Sequence, residues 1–273
     1  MSKRALASGV AFVLACAVTV QAADNAPVPN FSSIEYGWVA QAPNFQIPPG
    51  GGPRHVTQHP NYPWKAPGRG EAPHWRVADL DNPILQPWAR EALRKMNDKI
   101  IGGGTGYTRQ VSCWPMGTPA FLLLPAQPLY FIQTPKEVTL IHQMDQQVRR
   151  VYMNVPHSKN VKQSWYGESV GHYEGDTLVV DTIGMNDQTW VDNFRTPHSD
   201  KLHVIERFRL INDGKNLEVR VHIEDPGAYT TAWDTMQRYD RADQQYLESV
   251  CAENNPLDHG DLDPMPEAKT PDF

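Results

Sequence analysis

One segment of this chain puts a carboxylate where oil is expected. In RFRLINDGKNLEVRVHIED, Asp213-Gly214 suits a two-residue hairpin turn, whose central positions need positive φ. Pairing outward from that turn sets Leu210 against Leu217, Phe208 against Val219, Glu206 against Val221 and Val204 against Ile223 on one side of the ribbon. Glu206 is then the only charged group on an apolar face, while Arg209 with Glu218 and His203 with Glu224 form a solvated face opposite. A carboxylate facing apolar neighbours is costly unless it is paired, hydrogen-bonded or protonated. Glu206 is therefore expected either to act as a general acid or base, or to be clamped by an arginine such as Arg150.

A second hairpin, GESVGHYEGDTLVVDTIG, turns at Gly175-Asp176. Glu174 faces Thr177, His172 faces Val179 and Val170 faces Asp181, so His172, Glu174 and Asp181 share a side, with Tyr173, Leu178 and Val180 on the other. Neither side is plainly polar, which predicts a hairpin covered on both faces. His172 and Asp181 then become partners in an internal polar site able to move protons near neutral pH, or a histidine satisfied by a core acid.

Between the hairpins runs MNDQTWVDNFRTPHSDKLH, too long for a tight turn. Such loops over a β scaffold often carry ligand contacts. Trp190, Arg195 and His198, with Trp165 outside the loop, are the expected ligand-binding residues, and Arg195 and His198 would orient an anionic or oxygen-bearing group. His-x-Glu occurs twice, at His172 and at His222, but no close ligand triad accompanies either, so no metal is expected.

The elements that must position these groups read as all-β, mainly antiparallel: a barrel or barrel-like meander of about eight strands. Strands are predicted near 129–133, 137–143, 148–154, 168–174, 177–183, 202–211, 216–224 and 232–239. One helix is predicted over 85–100, with Pro87 in its first turn, Trp88, Ala92, Leu93 and Met96 at helical spacing, and glycines ending it. The run Gly102-Gly103-Gly104-Thr105-Gly106 follows a helix and lacks the Lys-Ser/Thr of a phosphate loop, so it reads as a terminator. Residues 23–75, crowded with Pro and Gly, read as an arm wrapped over a surface or a partly disordered lead-in, with Tyr62, Trp64 and Trp75 favouring docking. Residues 76–253 form the single β domain, and 254–273 a flexible polar tail.

Lys3 and Arg4 precede an apolar run from Ala5 to Val20 and small residues at Ala22 and Ala23, the pattern of a signal peptide over 1–22. That run is too short for a spanning helix and no other follows, so no transmembrane span is expected. Lipidation at Cys16 is the alternative, with Leu14 a poor fit to a lipoprotein box. Losing residues 1–22 removes two bases and no acid, which moves the net charge from −6 to −8. An acidic chain is a poor partner for nucleic acid. Cys113 and Cys251 make an even pair in an oxidising compartment, as a disulfide or as two buried thiols.

The stretches QTPKEVTLIHQ, RRVYMN, SWYGESVGHYEGDTLVVDT, NFRTPHSDKLHVIERFRL and VCAENN resemble a family of uncharacterised exported proteobacterial proteins, over about residues 75–255. The resemblance implies export and one shared fold, and transfers no catalytic residue. The expected function is a periplasmic β-barrel that processes a small organic molecule by acid-base chemistry without a cofactor. Glu206 is its acid or base, and His172 with Asp181 its second proton carrier. The alternatives are a non-catalytic small-molecule binding protein, with Glu206 a structural ion-pair partner, and an envelope interaction protein that docks through its arm.

Overall fold

The computed structural model describes residues 27–33, 35–50, 52–63, 76–104, 113–124, 127–243 and 246–251. The expected signal peptide, Trp64, Trp75 and the tail from residue 254 lie outside them. Nine strands close into one barrel: β1 (Gly37–Ala40), β2 (Leu129–Gln133), β3 (Glu137–His142), β4 (Gln147–Met153), β5 (Glu168–Glu174), β6 (Thr177–Ile183), β7 (His203–Ile211), β8 (Asn216–Glu224) and β9 (Trp233–Ala242). Neighbours pair antiparallel except β4 with β5, which run parallel, so the chain must cross the outside of the barrel between Met153 and Glu168. Gly171 lies at that junction; a Cβ there would stand 2.8 Å from Cγ1 of Val151, so a side chain would push β5 off β4.

Both hairpin registers match the sequence patterns. Glu206 opposes Val221 and Phe208 opposes Val219 across β7 and β8, while His172 opposes Val179 and Val170 opposes Asp181 across β5 and β6. The first turn carries Asp213 at φ 56 and Gly214 at φ 76, with the Lys215 N–H donating to the Asn212 carbonyl at 3.1 Å, as a primed turn requires. Strand alternation then sorts side chains inside and out. Trp38, Leu140, Val151, Leu178, Val180, Phe208, Val219 and Tyr239 are each at most 1% exposed, and the barrel is filled with side chains.

Two expectations are corrected. The arm is not merely a wrap: β1, inside it, pairs with both β9 and β2 and closes the barrel as a ninth strand. Four residues with flanking prolines carry too little alternation to be read as a strand; their pairing is supplied by the two edges they bridge. Helix α1 (Pro87–Ile101) forms as expected with Pro at its start, but it buries Ala89, Leu93, Asn97 and Ile100. Trp88 is 46% exposed, so the packed face is rotated from the one its apolar residues suggest. The rotation follows from Asn97, whose side chain bonds both the N–H and the carbonyl of Ala78 at 2.8 Å. Cys113 and Cys251 are joined as a disulfide across 138 residues.

Candidate functional site

Glu206 faces the barrel interior with 0% exposure, and its partner is Arg149, not Arg150. Arg149 lies on the inward-facing side of β4 and is 1% exposed; Nη1 donates to Glu206 Oε1 at 2.8 Å and Nη2 to Oε2 at 2.5 Å. Its remaining donors reach Ser169 Oγ at 3.1 and 3.2 Å and Thr182 Oγ1 at 2.8 Å. Arg150, one residue on, points outward to Glu137. Both carboxylate oxygens are thus engaged by Arg149 in a packed interior. Burial, followed by the charge of Glu206, pushes the phenol of Tyr239 well up, keeping it a neutral donor to the Leu122 carbonyl.

His172 and Asp181 share a side of their hairpin, but it is the outer side, and the expected internal site is corrected on that ground. His172 is exposed and bonds Glu174 at 3.0 Å. The inward side of β6 is held by Leu178, Val180 and Thr182. On the outer side the Asp181 side chain is 39% exposed and that of His172 53%.

Outside the barrel these two residues belong to networks that sequence spacing does not reveal. Asp181 Oδ1 accepts from His157 Nε2 at 2.9 Å and from His203 Nε2 at 3.0 Å. His157 Nδ1 also meets Glu168 at 3.1 Å, and His203 Nδ1 lies 3.5 Å from Glu224. Glu224 meets His222 Nε2 at 3.1 Å, and His222 Nδ1 meets Asp234 at 2.8 Å. The seam therefore runs Glu168, His157, Asp181, His203, Glu224, His222, Asp234, from β5 to β9, each imidazole between two carboxylates. A carboxylate only accepts, so an imidazole can donate to both neighbours only as imidazolium. Partial burial pulls the pKa of His222 down, but hydrogen bonds and charge from Asp234 and Glu224 outweigh it and the net shift is upward.

The second network joins His172 to Glu174 and Glu174 to Arg207 at 2.6 Å. Both networks end at one groove of about 440 Å³, lined by Arg207, Arg220, His222, Asp234, Ile205 and the arm residues Pro48 and Pro49, among others. The arm reaches it through the bridges Gln46 to Met236 and Arg54 to Asp234. Arg207 and Arg220 oppose each other directly across β7 and β8, an arrangement of like charges that is unfavourable without anions nearby. Glu174 and Glu218 supply part of that compensation.

The expected ligand-binding residues lie elsewhere. Trp165 packs on Trp114 with ring centroids 5.3 Å apart. Trp190 bridges to Pro197 across the loop before β7. His198 is buried, which lowers its pKa; Nε2 faces the Thr189 hydroxyl and Nδ1 the Ser199 carbonyl, both at 2.9 Å. Arg195 is buried beneath the same loop. None of these four lines the groove between β7 and the arm.

Comparison with protein-family models, with curated proteins and with solved structures returns no match. No helix among the described residues is long and apolar enough to cross a membrane. Among them, too, no cluster of three or more His, Cys, Asp or Glu has metal-ligand geometry.

The residues that sequence reasoning missed have a common cause. His157 lies in the crossover, where no periodicity applies. Arg149 and Arg150 are adjacent arginines, and only the phase of β4 decides which one faces inward. The facing of His203 and Glu224 was visible in the hairpin register, but the continuation to Asp181 and Asp234 depends on strand order.

Proposed function

We propose that this protein is exported and acts on a small, partly apolar organic anion by acid-base chemistry in the outer groove, in the periplasm or beyond the cell. Export accords with the disulfide and with the signal pattern in the sequence. The observation that carries the reading is the convergence of two networks, one through His222 and one through Arg207, on a groove of ligand size. Arg207 and Arg220 would hold the anionic group, and Ile205, Pro48 and Pro49 the apolar part. His222, held by Asp234 and Glu224, would give a proton to the reacting atom; Glu224 and His203 stand next in line to restore it. In this scheme Asp181 orients His203 and His172 orients Glu174, so both are positioning residues.

The carrier reading is favoured by one observation: Arg149 ties both carboxylate oxygens of Glu206 into the core. One experiment separates the two. Protein purified gently from its native compartment is examined by mass spectrometry for a bound small acid. A panel of small organic acids, esters and lactones is then incubated with wild type, His222→Gln and Asp234→Asn in D2O. Acid-base catalysis predicts turnover or deuterium incorporation by wild type, reduced about 100-fold or more in His222→Gln with affinity little changed. Binding without turnover by wild type would leave the carrier. Equal turnover in His222→Gln would remove the groove from consideration.

A further inference from the structure

Helix α1 leaves an indole outside the core. Its packed face is set by Ala89, Leu93, Asn97 and Ile100, which turns Trp88, the second helical residue, toward solvent. The ring is nonetheless fixed, since its Nε1–H donates to the Gly227 carbonyl at 2.7 Å. Trp88 lines a groove of about 400 Å³, completed by Pro197, His198 and Asp200 ahead of β7, by Gln163 of the crossover and by Asp187 after β6. This groove shares no residue with the one beneath the arm.

The lining offers negative charge and acceptors, and its donors are largely spent. Asp187 and Asp200 are exposed, and among the described residues neither forms an ion pair. Lys162 and Lys201 adjoin Gln163 and Asp200 in the chain, but neither lines the groove. A third carboxylate, Asp225, lies behind Ser199, which also lines the groove: it accepts the Ser199 N–H and Oγ–H, both at 2.6 Å. The Trp88 indole N–H and the Ser199 hydroxyl are therefore committed, and His198 Nδ1 is committed to the Ser199 carbonyl at 2.9 Å. Desolvation lowers the pKa of His198 further than its bond to Ser199 and the charges of Asp225 and Asp187 raise it, so the imidazole adds no positive charge at neutral pH. The Gln163 amide is the one side-chain donor left in the lining. The roughly half unit of positive charge at the start of α1 opposes a cation, but three carboxylates outweigh it.

We propose that this groove is a receptor for a small organic cation, an amine or a quaternary ammonium, separate from the outer groove and opposite to it in charge. The cation lies against the Trp88 ring, whose quadrupole attracts it, and Asp187 and Asp200 balance its charge. A metal ion finds no ligand on the indole, and the hydroxyls of a sugar need donors that the lining has already spent.

Calorimetric titration tests the receptor. Choline chloride and putrescine are the probes, and the proteins are wild type, Trp88→Leu, Trp88→Phe, Asp187→Asn and Asp200→Asn. The controls are magnesium chloride, glucose and the uncharged analogue of choline in which a tert-butyl group replaces trimethylammonium. At least one cation should bind wild type saturably, and the neutral analogue should not. Trp88→Leu should weaken that binding about 2- to 30-fold, and Trp88→Phe less. Each aspartate variant should weaken it roughly 2- to 5-fold, and added sodium chloride should weaken it further. Asp200→Asn changes an exposed side chain and should unfold at the wild-type temperature, so that its loss of binding is not a loss of fold. If neither cation saturates, if the neutral analogue or glucose binds as tightly as choline, or if magnesium displaces choline and binds Trp88→Leu as well as wild type, the receptor does not exist. His222→Gln and Arg207→Gln should bind the cation as wild type does, and Asp200→Asn should leave any turnover of organic acids unchanged, so this test and that of the outer groove fail independently.

Discussion

Replacing Glu206 by Gln should cost stability before it affects any chemistry. The carboxylate receives both arms of the Arg149 guanidinium, and each side chain is at most 1% exposed. A neutral amide keeps one acceptor oxygen, turns an N–H donor toward another donor, and leaves the arginine charge with no buried counterion. Breaking a buried pair from one side costs about 3–5 kcal/mol. At a urea slope of about 2–3 kcal/mol per molar, the midpoint should fall by roughly 1–2 M. Arg149→Met should cost a similar amount by stranding the carboxylate. The double variant Arg149→Met/Glu206→Leu should recover most of the loss, for a structural reason: Ser169 Oγ and Thr182 Oγ1 lie 2.9 Å apart and can satisfy each other once the guanidinium has gone. Wild type, Arg149→Met, Glu206→Leu and the double variant are compared by urea unfolding beside Glu206→Gln, and the coupling energy is read from the cycle of the first four. If Glu206→Gln loses less than about 1 kcal/mol, or if the single losses simply add in the double variant, the ion pair is not the clamp described here.

Acidification should destabilise the fold between about pH 6.5 and 4. His55, His142 and His198 are buried and desolvation lowers all three, the first two to about 4, so over that window the unfolded chain binds protons at three histidines that the folded state takes up less readily. Asp192 acts in the opposite sense, holding a proton below about pH 6 that the unfolded chain has released, so stability should fall with a slope of about one to two protons; a midpoint that rises on acidification would contradict this. Reducing the disulfide, or replacing Cys251 by Ser, removes a closure across 138 residues and should cost about 5 kcal/mol in the chain-entropy picture, read as a lower thermal midpoint; an unchanged midpoint would show that the bond constrains nothing. Deleting residues 24–75 should abolish cooperative unfolding, because β1 is removed and the facing edges of β2 and β9 are left unpaired. A deletion variant that still unfolds as a single unit would place β1 outside the essential barrel.

Much of the barrel was legible in the sequence because its information is local. Turn residues at Gly175-Asp176 and Asp213-Gly214, with period-two alternation on either side, set two registers without reference to the rest of the chain. Alternation also identified Glu206 as a carboxylate on an apolar face, and it lies in the interior. The pairing of its neighbours could not be reached that way. Whether Arg149 or Arg150 meets it depends on the phase of β4, which has no diagnostic turn.

The inside of this barrel was determined by sequence, since apolar residues at every second position must leave water whichever strand they face. The outside was decided by tertiary structure. Strand order brings His157, Asp181, His203, Glu224, His222 and Asp234 into one seam, and the arm lays Pro48 and Pro49 beside β7 and β8 to make a groove. Polar contacts between strands distant in sequence carry no periodic signature. They arise only when the sheet closes and sets one strand's outward residues next to another's.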